Sequence, residues 1–157
     1  MKNAASRKIL EALSENWQTE MRGFHTYNAF SERDPDPIRK RILRNLAEAE
    51  ARHAAMWAKR IHELGGSVPH YAGRAGGDAD TFINRVGGPG MALRRLEIDE
   101  SRDIAKYGKQ LEELGDQPSI AILRHVIADE QDHYRELGSL IRDHYPASAV
   151  AEVKADP

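Results

Sequence analysis

Six carboxylate and imidazole side chains interrupt the apolar faces of segments that otherwise have the pattern of amphipathic helices. They comprise two Glu-x-x-His motifs eighty residues apart and two glutamates, each thirty residues before one motif. The six residues are Glu20, Glu50, His53, Glu100, Glu130 and His133. Each falls where the helical periodicity predicts a side chain that points inward. A fold of this chain must therefore bury these polar groups and neutralise their charge.

Four long segments with this periodicity predict an all-α protein that forms one domain over residues 1–157. The expected helices cover about residues 6–31, 37–64, 90–114 and 118–145, with a frayed tail at 146–157. The glycine-rich connection between the second and third helices is expected to include a short helix at Asp78–Val86. The short, long and short connections indicate two antiparallel helix pairs joined by a crossover in a four-helix bundle. The alternative is an up-and-down bundle with one long loop.

The sequence partly matches itself when it is shifted by eighty residues without a gap. The matched pairs include Glu20 with Glu100, Arg22 with Arg102, Tyr27 with Tyr107, Asp36 with Asp116, Glu50 with Glu130, and His53 with His133. Apolar matches carry little weight because any two amphipathic helices share them, whereas solvent-facing polar positions change freely. The polar matches therefore predict two related helix hairpins that pack about a pseudo-twofold axis.

The four inward glutamates require a compensating charge, because desolvating each carboxylate costs several kcal/mol. No lysine or arginine lies on these apolar stripes, but two divalent cations would balance four glutamates with both histidines neutral. Mixed carboxylate and imidazole ligands favour iron or manganese over structural zinc, so we expect two iron ions, with manganese or a mixed pair as the alternative. Glu50 and Glu130 are expected to bridge the ions. Glu20 and Glu100 are each expected to bind one ion, as is each histidine.

Several other polar residues lie near the predicted ligands, and three of them have two interpretations each. Glu97 lies one turn before a predicted ligand, and it is either a fifth, mobile carboxylate ligand or a boundary residue. Tyr27 and Tyr107 each follow an inward glutamate by two helical turns, and each either donates a hydrogen bond to a ligand carboxylate or fills the core. Asp129 could support a histidine ligand. The histidines outside the motifs, including His125, lack partners at ligand spacing and are interpreted as surface or loop residues.

The composition excludes several classes of function. The chain contains no cysteine, which rules out disulfides, thiolate metal sites and nucleophilic thiols. Its net charge of −2 gives no reason to expect a nucleic-acid partner. No basic-then-apolar signal segment follows Met1, and no apolar run approaches the length of a membrane span. We therefore expect a cytoplasmic protein.

The arrangement of these motifs resembles that of the ferritin-like superfamily and is most similar to rubrerythrins. The resemblance covers roughly residues 8–145 and rests on Glu20, Glu50-x-x-His53, Glu97-x-x-Glu100 and Glu130-x-x-His133. The segments 15–34, 42–66 and 92–110 also resemble the ferritin-like (erythrin) domain that precedes a vacuolar-iron-transporter-type membrane domain. The resemblance implies a left-handed ferritin-like four-helix bundle, a di-iron centre, and ferroxidase or peroxide chemistry. The chain departs from rubrerythrins in lacking the cysteines of their electron-donating rubredoxin domain.

The leading hypothesis is a ferroxidase-type protein that oxidises Fe(II) with O₂ or H₂O₂ for iron storage, detoxification or transport. The alternatives are a peroxide reductase with an external electron donor and a non-catalytic iron-sensing module. The chain is either a stand-alone protein or a soluble part of a longer one, located at the membrane face if it adjoins a membrane iron-transporter domain. A homodimer is expected, with Trp57 and the glycine-rich connection contributing to its interface.

Overall fold

The computed structural model describes residues 4–73 and 79–150, and every regular element within them is an α-helix. The helices are α1 (Ala4–Arg33), α2 (Pro37–Glu63), α3 (Ala79–Val86), α4 (Pro89–Glu113), α5 (Gln117–His144) and α6 (Pro146–Ala149). The four long helices agree closely with the predicted ranges. The short helix predicted in the connection is α3, although Asp78 lies outside the described residues. The architecture is the expected ferritin-like helical bundle.

The prediction of a frayed tail over residues 146–157 is wrong for residues 146–149, which form the short helix α6. Pro146 ends α5, but it also occupies the first turn of α6. A proline is well suited to that position because its fixed φ angle matches a helix and its missing N–H would have no partner there. Tyr145 and Ala149 pack against the core, which holds this short helix against the bundle. Residues 151–157 of the predicted tail lie outside the described part of the chain.

Equivalent aspartates begin the second helix of each hairpin. The Asp36 carboxylate accepts hydrogen bonds from the backbone N–H groups of Ile38 and Arg39, at 2.8 and 2.9 Å. The Asp116 carboxylate accepts one from the N–H of Ser119 at 3.2 Å. Side-chain acceptors of this kind satisfy helix N–H groups that have no partner within the helix. The two halves of the repeat thus use the same device to start α2 and α5.

The helices pack as two hairpins around a central polar layer. Three-residue turns connect α1 to α2 and α4 to α5, while α2 and α5 contact each other across the hairpins. One apolar cluster, on one side of the polar layer, includes Tyr27, Leu46 and Leu93. The short helix α3 packs onto this cluster through Phe82. A second cluster on the other side includes Leu13, Ile61 and Leu123, together with the side chains of Trp57 and Tyr107. None of the helices in the described residues has an apolar stretch long enough to cross a bilayer.

Trp57 does not form part of a dimer surface. Its side chain is 0% exposed and packs beside the ring of Tyr107, with 6.2 Å between the ring centroids. The sequence-based placement of Trp57 on an exposed face was wrong because this large side chain fills the core between the two hairpins. The homodimer itself stays a prediction.

Candidate metal centre

The six predicted ligands converge in the polar layer between the two apolar clusters. One helix of each hairpin contributes a single glutamate, and the other contributes a Glu-x-x-His pair. The six side chains are those of Glu20, Glu50, His53, Glu100, Glu130 and His133, and none is more than 7% exposed. A helix places residues three apart on one face, which brings both members of each pair to the bundle axis.

The ligand atoms form two overlapping groups of four, and within each group all of them lie within 4.8 Å of one another. The first group contains Glu20, Glu50, His53 and Glu130, and the second contains Glu50, Glu100, Glu130 and His133. Glu50 and Glu130 belong to both groups, whereas Glu20 and Glu100 each belong to one. The geometry therefore allows two bridging carboxylates, two terminal carboxylates and one histidine per ion, and this arrangement stays a prediction.

Both histidines present their Nδ1 atoms to the shared carboxylates. His53 Nδ1 lies 3.1 Å from Glu130 Oε1 and 3.4 Å from Glu20 Oε2. His133 Nδ1 lies 3.7 Å from Glu50 Oε1 and 3.8 Å from Glu130 Oε2. At these distances, the nitrogen and oxygen atoms are close enough to bind one common cation.

Three buried atoms of the centre have no hydrogen-bond partner among the described residues: Glu20 Oε2, Glu100 Oε2 and His133 Nδ1. A buried polar atom without a partner costs about 1–3 kcal/mol, so such atoms are rare in folded proteins. Here all three belong to residues that offer lone pairs to the same small volume. Carboxylate oxygens and imidazole nitrogens are suitable ligands for divalent iron or manganese, so these residues fit a pair of such ions.

The buried carboxylates of the centre change one another's pKa values. Burial, together with the charges of Glu20, Glu100 and Glu130, raises the pKa of Glu50 well above its usual value. Burial and the nearby Glu130 raise the pKa of Glu100 in the same way. Burial also acts on Glu130, but the favourable interactions of its carboxylate with Glu100 and the two histidines outweigh burial and lower its pKa. In the absence of cations, protons therefore reduce the repulsion among these carboxylates.

Each tyrosine of the repeat donates a hydrogen bond to a glutamate of the other hairpin. The Tyr27 hydroxyl donates to Glu100 Oε1 at 2.6 Å, and the Tyr107 hydroxyl donates to Glu20 Oε1 at 2.9 Å. Burial, followed by the charge of the acceptor glutamate, raises the pKa of both phenols, which keeps them protonated as donors. Two helical turns separate each tyrosine from the glutamate on its own helix by about 10 Å, so the nearer carboxylate lies across the bundle.

Asp129 supports one histidine, as the sequence suggested. Its Oδ2 atom lies 2.7 Å from His53 Nε2, on the side of the ring opposite the metal centre. His125 Nε2 lies 3.4 Å from the same oxygen. The interpretation of His125 as a residue without partners was therefore wrong, because its position one turn before Asp129 brings the two side chains together. His125 remains largely exposed, with 56% of its side chain accessible to solvent.

Glu97 is buried, but the structure does not bring it into either group of ligands. Its carboxylate contacts the guanidinium of Arg94, one turn earlier on α4. It also lies against α5 at Gly138, where an added Cβ atom would come within 2.8 Å of Glu97 Oε2. In this structure Glu97 is thus a buried residue that pairs with Arg94 and belongs to neither group of ligands.

Two features of the centre were not predicted from the sequence. Gly23 allows α1 to approach the bridging carboxylate, since a Cβ atom there would lie 3.1 Å from both Cγ and Cδ of Glu50. A cavity of about 360 Å³ between α1 and α4 also reaches Glu50 and Glu100. Arg22 and Arg102, which occupy equivalent positions in the repeat, line this cavity. The match between Arg22 and Arg102 in the repeat was the one sequence signal that could have located this cavity.

Comparison with known proteins identifies the family. A model of the Rubrerythrin family matches residues 11–141. The chain is also similar to a solved structure described as "ferritin like, diiron-carboxylate proteins from Bacillus anthracis str. Ames", with a TM-score of 0.74 and 23% identity. The alignment covers 89% of this chain and 99% of that one, and at this identity it shows a shared fold. No curated protein matches the chain. Because the family model spans most of the sequence, the chain belongs to the rubrerythrin family.

Proposed function

We propose that this chain is a non-haem di-iron protein that binds Fe(II) at the six-residue centre and oxidises it. The observation that carries the proposal is the pair of overlapping four-residue groups that share Glu50 and Glu130. Family membership supports it, as does the description of the Bacillus anthracis structure as a di-iron carboxylate protein. Storage, detoxification and transport of iron are the roles that such a reaction would serve.

The residues of the chain have distinct roles in this proposal. Glu50 and Glu130 would bridge the ions, and Glu20 and Glu100 would each complete the ligand set of one ion. Four carboxylates favour the higher charge of the ferric state. The hydroxyls of Tyr27 and Tyr107 hold the terminal carboxylates through the hydrogen bonds described above. These donors restrict how far each carboxylate can rotate.

When bound, two Fe(II) ions supply two electrons, which with two protons reduce H₂O₂ to two water molecules or O₂ to H₂O₂. The cavity between α1 and α4 gives a small oxidant a route to Glu50 and Glu100 from solvent. The arginines that line it favour polar over apolar reactants. Peroxide reduction with an external electron donor is the second candidate, because such a cavity would serve it equally well.

The metal content of the purified protein tests the assignment of the site. Protein produced with iron should contain two iron ions per chain, and the Glu50→Ala/Glu130→Ala variant should contain almost none. Glu48 and Asp143 are exposed carboxylates on the same two helices. A Glu48→Ala/Asp143→Ala variant therefore removes the same number of charges and should retain the iron. Equal iron in wild type and in the Glu50/Glu130 variant would contradict the proposal.

Stopped-flow oxidation of the Fe(II)-loaded protein distinguishes the candidate functions. A ferroxidase forms Fe(III) rapidly when mixed with O₂ or H₂O₂. Much faster oxidation by H₂O₂ than by O₂ favours the peroxide reductase. No oxidation by either reactant leaves the iron-sensing module. A homodimer, a cytoplasmic location and a link to a vacuolar-iron-transporter-type membrane domain stay predictions.

A further inference from the structure

The two halves of the metal centre have equivalent ligands but different support for their histidines. On one side, the Asp129 carboxylate lies 2.7 Å from His53 Nε2, where it accepts a hydrogen bond from the N–H group that this nitrogen forms when Nδ1 is free to bind a metal. The residue eighty positions earlier, which the repeat places beside His133, is Ala49. An alanine cannot accept a hydrogen bond through its side chain. The two halves of the repeat therefore have the same ligands but differ at the residue next to the outer nitrogen of each histidine.

The structure shows the same asymmetry at His133. Its ring is 7% exposed, and among the described residues only the ligands Glu50 and Glu130 place a carboxylate oxygen within 4.0 Å of it, both at Nδ1. A cavity of about 290 Å³ lies beside the ring and is lined by both Ala49 and His133. Asn45 also lines this cavity, at the position that the repeat matches with His125. Neither member of the His125–Asp129 pair thus has an equivalent at His133.

A carboxylate on the outer nitrogen of a histidine ligand has known physical effects. It fixes the tautomer in which the inner nitrogen is free to bind a metal, orients the ring, and makes the inner nitrogen more basic. Loss of such a partner typically lowers metal affinity about 10–100-fold. His125 Nε2, 3.4 Å from the same carboxylate oxygen, further restrains the position of Asp129.

We propose that the two metal positions are inequivalent, and that the position at His53 binds a divalent cation about 10–100-fold more tightly than the position at His133. Asp129 is the positioning residue that strengthens the first position, and Ala49 leaves the second one weak. The His133 position is consequently the one that a cation fills last and leaves first. The inference rests on the proposed function only in requiring that the centre binds two cations.

Titration of the metal-free protein with cobalt(II) tests this inference without any measurement of activity. Binding is followed by the visible absorption of the cobalt and by calorimetry. Wild type should bind two ions in two steps, with dissociation constants that differ about 10–100-fold. The His133→Ala variant should lose the weaker step, and the His53→Ala variant should lose the tighter one. Circular dichroism confirms that each variant is folded.

Variants at residues 129 and 49 test the physical cause. Asp129→Ala should weaken the tighter step about 10–100-fold and bring the two constants together. Ala49→Asp should tighten the weaker step, since the cavity beside His133 has room for a carboxylate. The Ala49→Asp variant therefore tests the inference even if Asp129→Ala fails to fold. Asp143→Ala is the matched control, because it removes an exposed carboxylate of the same helix, α5, that does not line this cavity.

The outcomes separate this inference from the proposed function. Two bound cobalt ions with equal constants in wild type would overturn the inference and leave the di-metal centre intact. An Asp143→Ala variant that weakens the tighter step as much as Asp129→Ala would also overturn it, since the effect would then come from charge alone. A Glu50→Ala/Glu130→Ala variant that binds as much cobalt as wild type would instead refute the metal centre itself.

Discussion

At the scale of single residues, Gly23 sets how closely α1 approaches the bridging carboxylate. A Gly23→Ala substitution would place a Cβ atom 3.1 Å from Glu50 Cγ and Cδ, which forces that side chain to shift. We expect the variant to bind metal about tenfold more weakly, because the bridging oxygens move with the side chain. Calorimetric titration of the metal-free protein measures this change.

Gly108→Ala is the matched control for this prediction, because no atom lies within 4 Å of a Cβ added there. In the interior of α4, alanine should increase the free energy of unfolding by about 0.5–1 kcal/mol and leave metal affinity unchanged. If Gly23→Ala behaved in the same way, the close contact with Glu50 would have no functional importance.

Asp103 should make the stability of the metal-free protein depend on pH. Burial raises its pKa to about 7, against the charge of Lys106, with Glu130 adding to the increase. A raised pKa means that the folded state holds the proton more tightly than the unfolded state. The resulting stability is complete below about pH 4 and is lost as the pH rises through about 7, by up to about 4 kcal/mol.

An Asp103→Asn variant should lose this contribution to the pH dependence. Denaturant unfolding of both metal-free proteins at several pH values measures it. The variant should become progressively more stable than wild type between about pH 4 and pH 7. Parallel stability profiles would show that Asp103 titrates normally in the folded protein.

The sequence predicted well which polar side chains come together inside the bundle, because each of them breaks an apolar stripe. It predicted the contacts of other polar residues less well. Tyr27 and Glu100 lie on different helices, so no spacing within one helix could reveal their hydrogen bond. Glu97 has the spacing of a ligand, yet its carboxylate pairs with the guanidinium of Arg94 and joins neither group of ligands. Such outcomes depend on side-chain packing, which periodicity does not describe.

At the scale of helices, α1 and α4 are linked across the bundle by long polar side chains. The buried side chains of Asn16 and Gln110 exchange two hydrogen bonds, at 2.8 and 2.9 Å. An Asn16→Leu variant should lower the free energy of unfolding by about 1–3 kcal/mol, because it leaves the Gln110 amide buried without a partner. Denaturant unfolding measures the loss.

The double variant Asn16→Leu/Gln110→Met tests whether the loss comes from the unpaired amide. With both polar groups replaced by apolar side chains of similar size, most of the stability should return. Losses that simply add in the double variant would contradict this explanation and would point to a packing defect at residue 16.

The helices themselves were largely predictable, since each long one has a clear apolar stripe and a start or stop signal. Asp36 and Asp116 cap α2 and α5 at equivalent positions of the repeat. The short helix α6 was missed because four residues are too few to show a periodic pattern. Its formation depends on contacts of Tyr145 and Ala149 with the core, which local sequence does not specify.

At the scale of the whole molecule, the metal centre should lower the stability of the protein until cations are bound. Metal binding at about 100 times the dissociation constant should add about 2.7 kcal/mol to the free energy of unfolding. For a domain of this size, that corresponds to an increase in Tm of roughly 5–10 °C. Differential scanning calorimetry with and without cobalt(II) measures the change.

A Glu50→Gln variant should lose this response to metal without losing stability when metal-free. The amide removes a buried carboxylate whose pKa is raised by burial and by three neighbouring glutamates. The variant should therefore unfold at a Tm equal to or above that of metal-free wild type, and cobalt(II) should not increase it. An increase equal to that of wild type would show that the ions bind elsewhere.

Because both hairpins belong to one chain, a substitution in one hairpin does not have to occur in the other. In an assembly of two identical hairpins, every substitution would appear twice and would alter both ion positions together. Here residue 49 and residue 129 are encoded separately, one as alanine and the other as aspartate. A mutation can therefore change one half of the candidate centre and leave the other half unchanged.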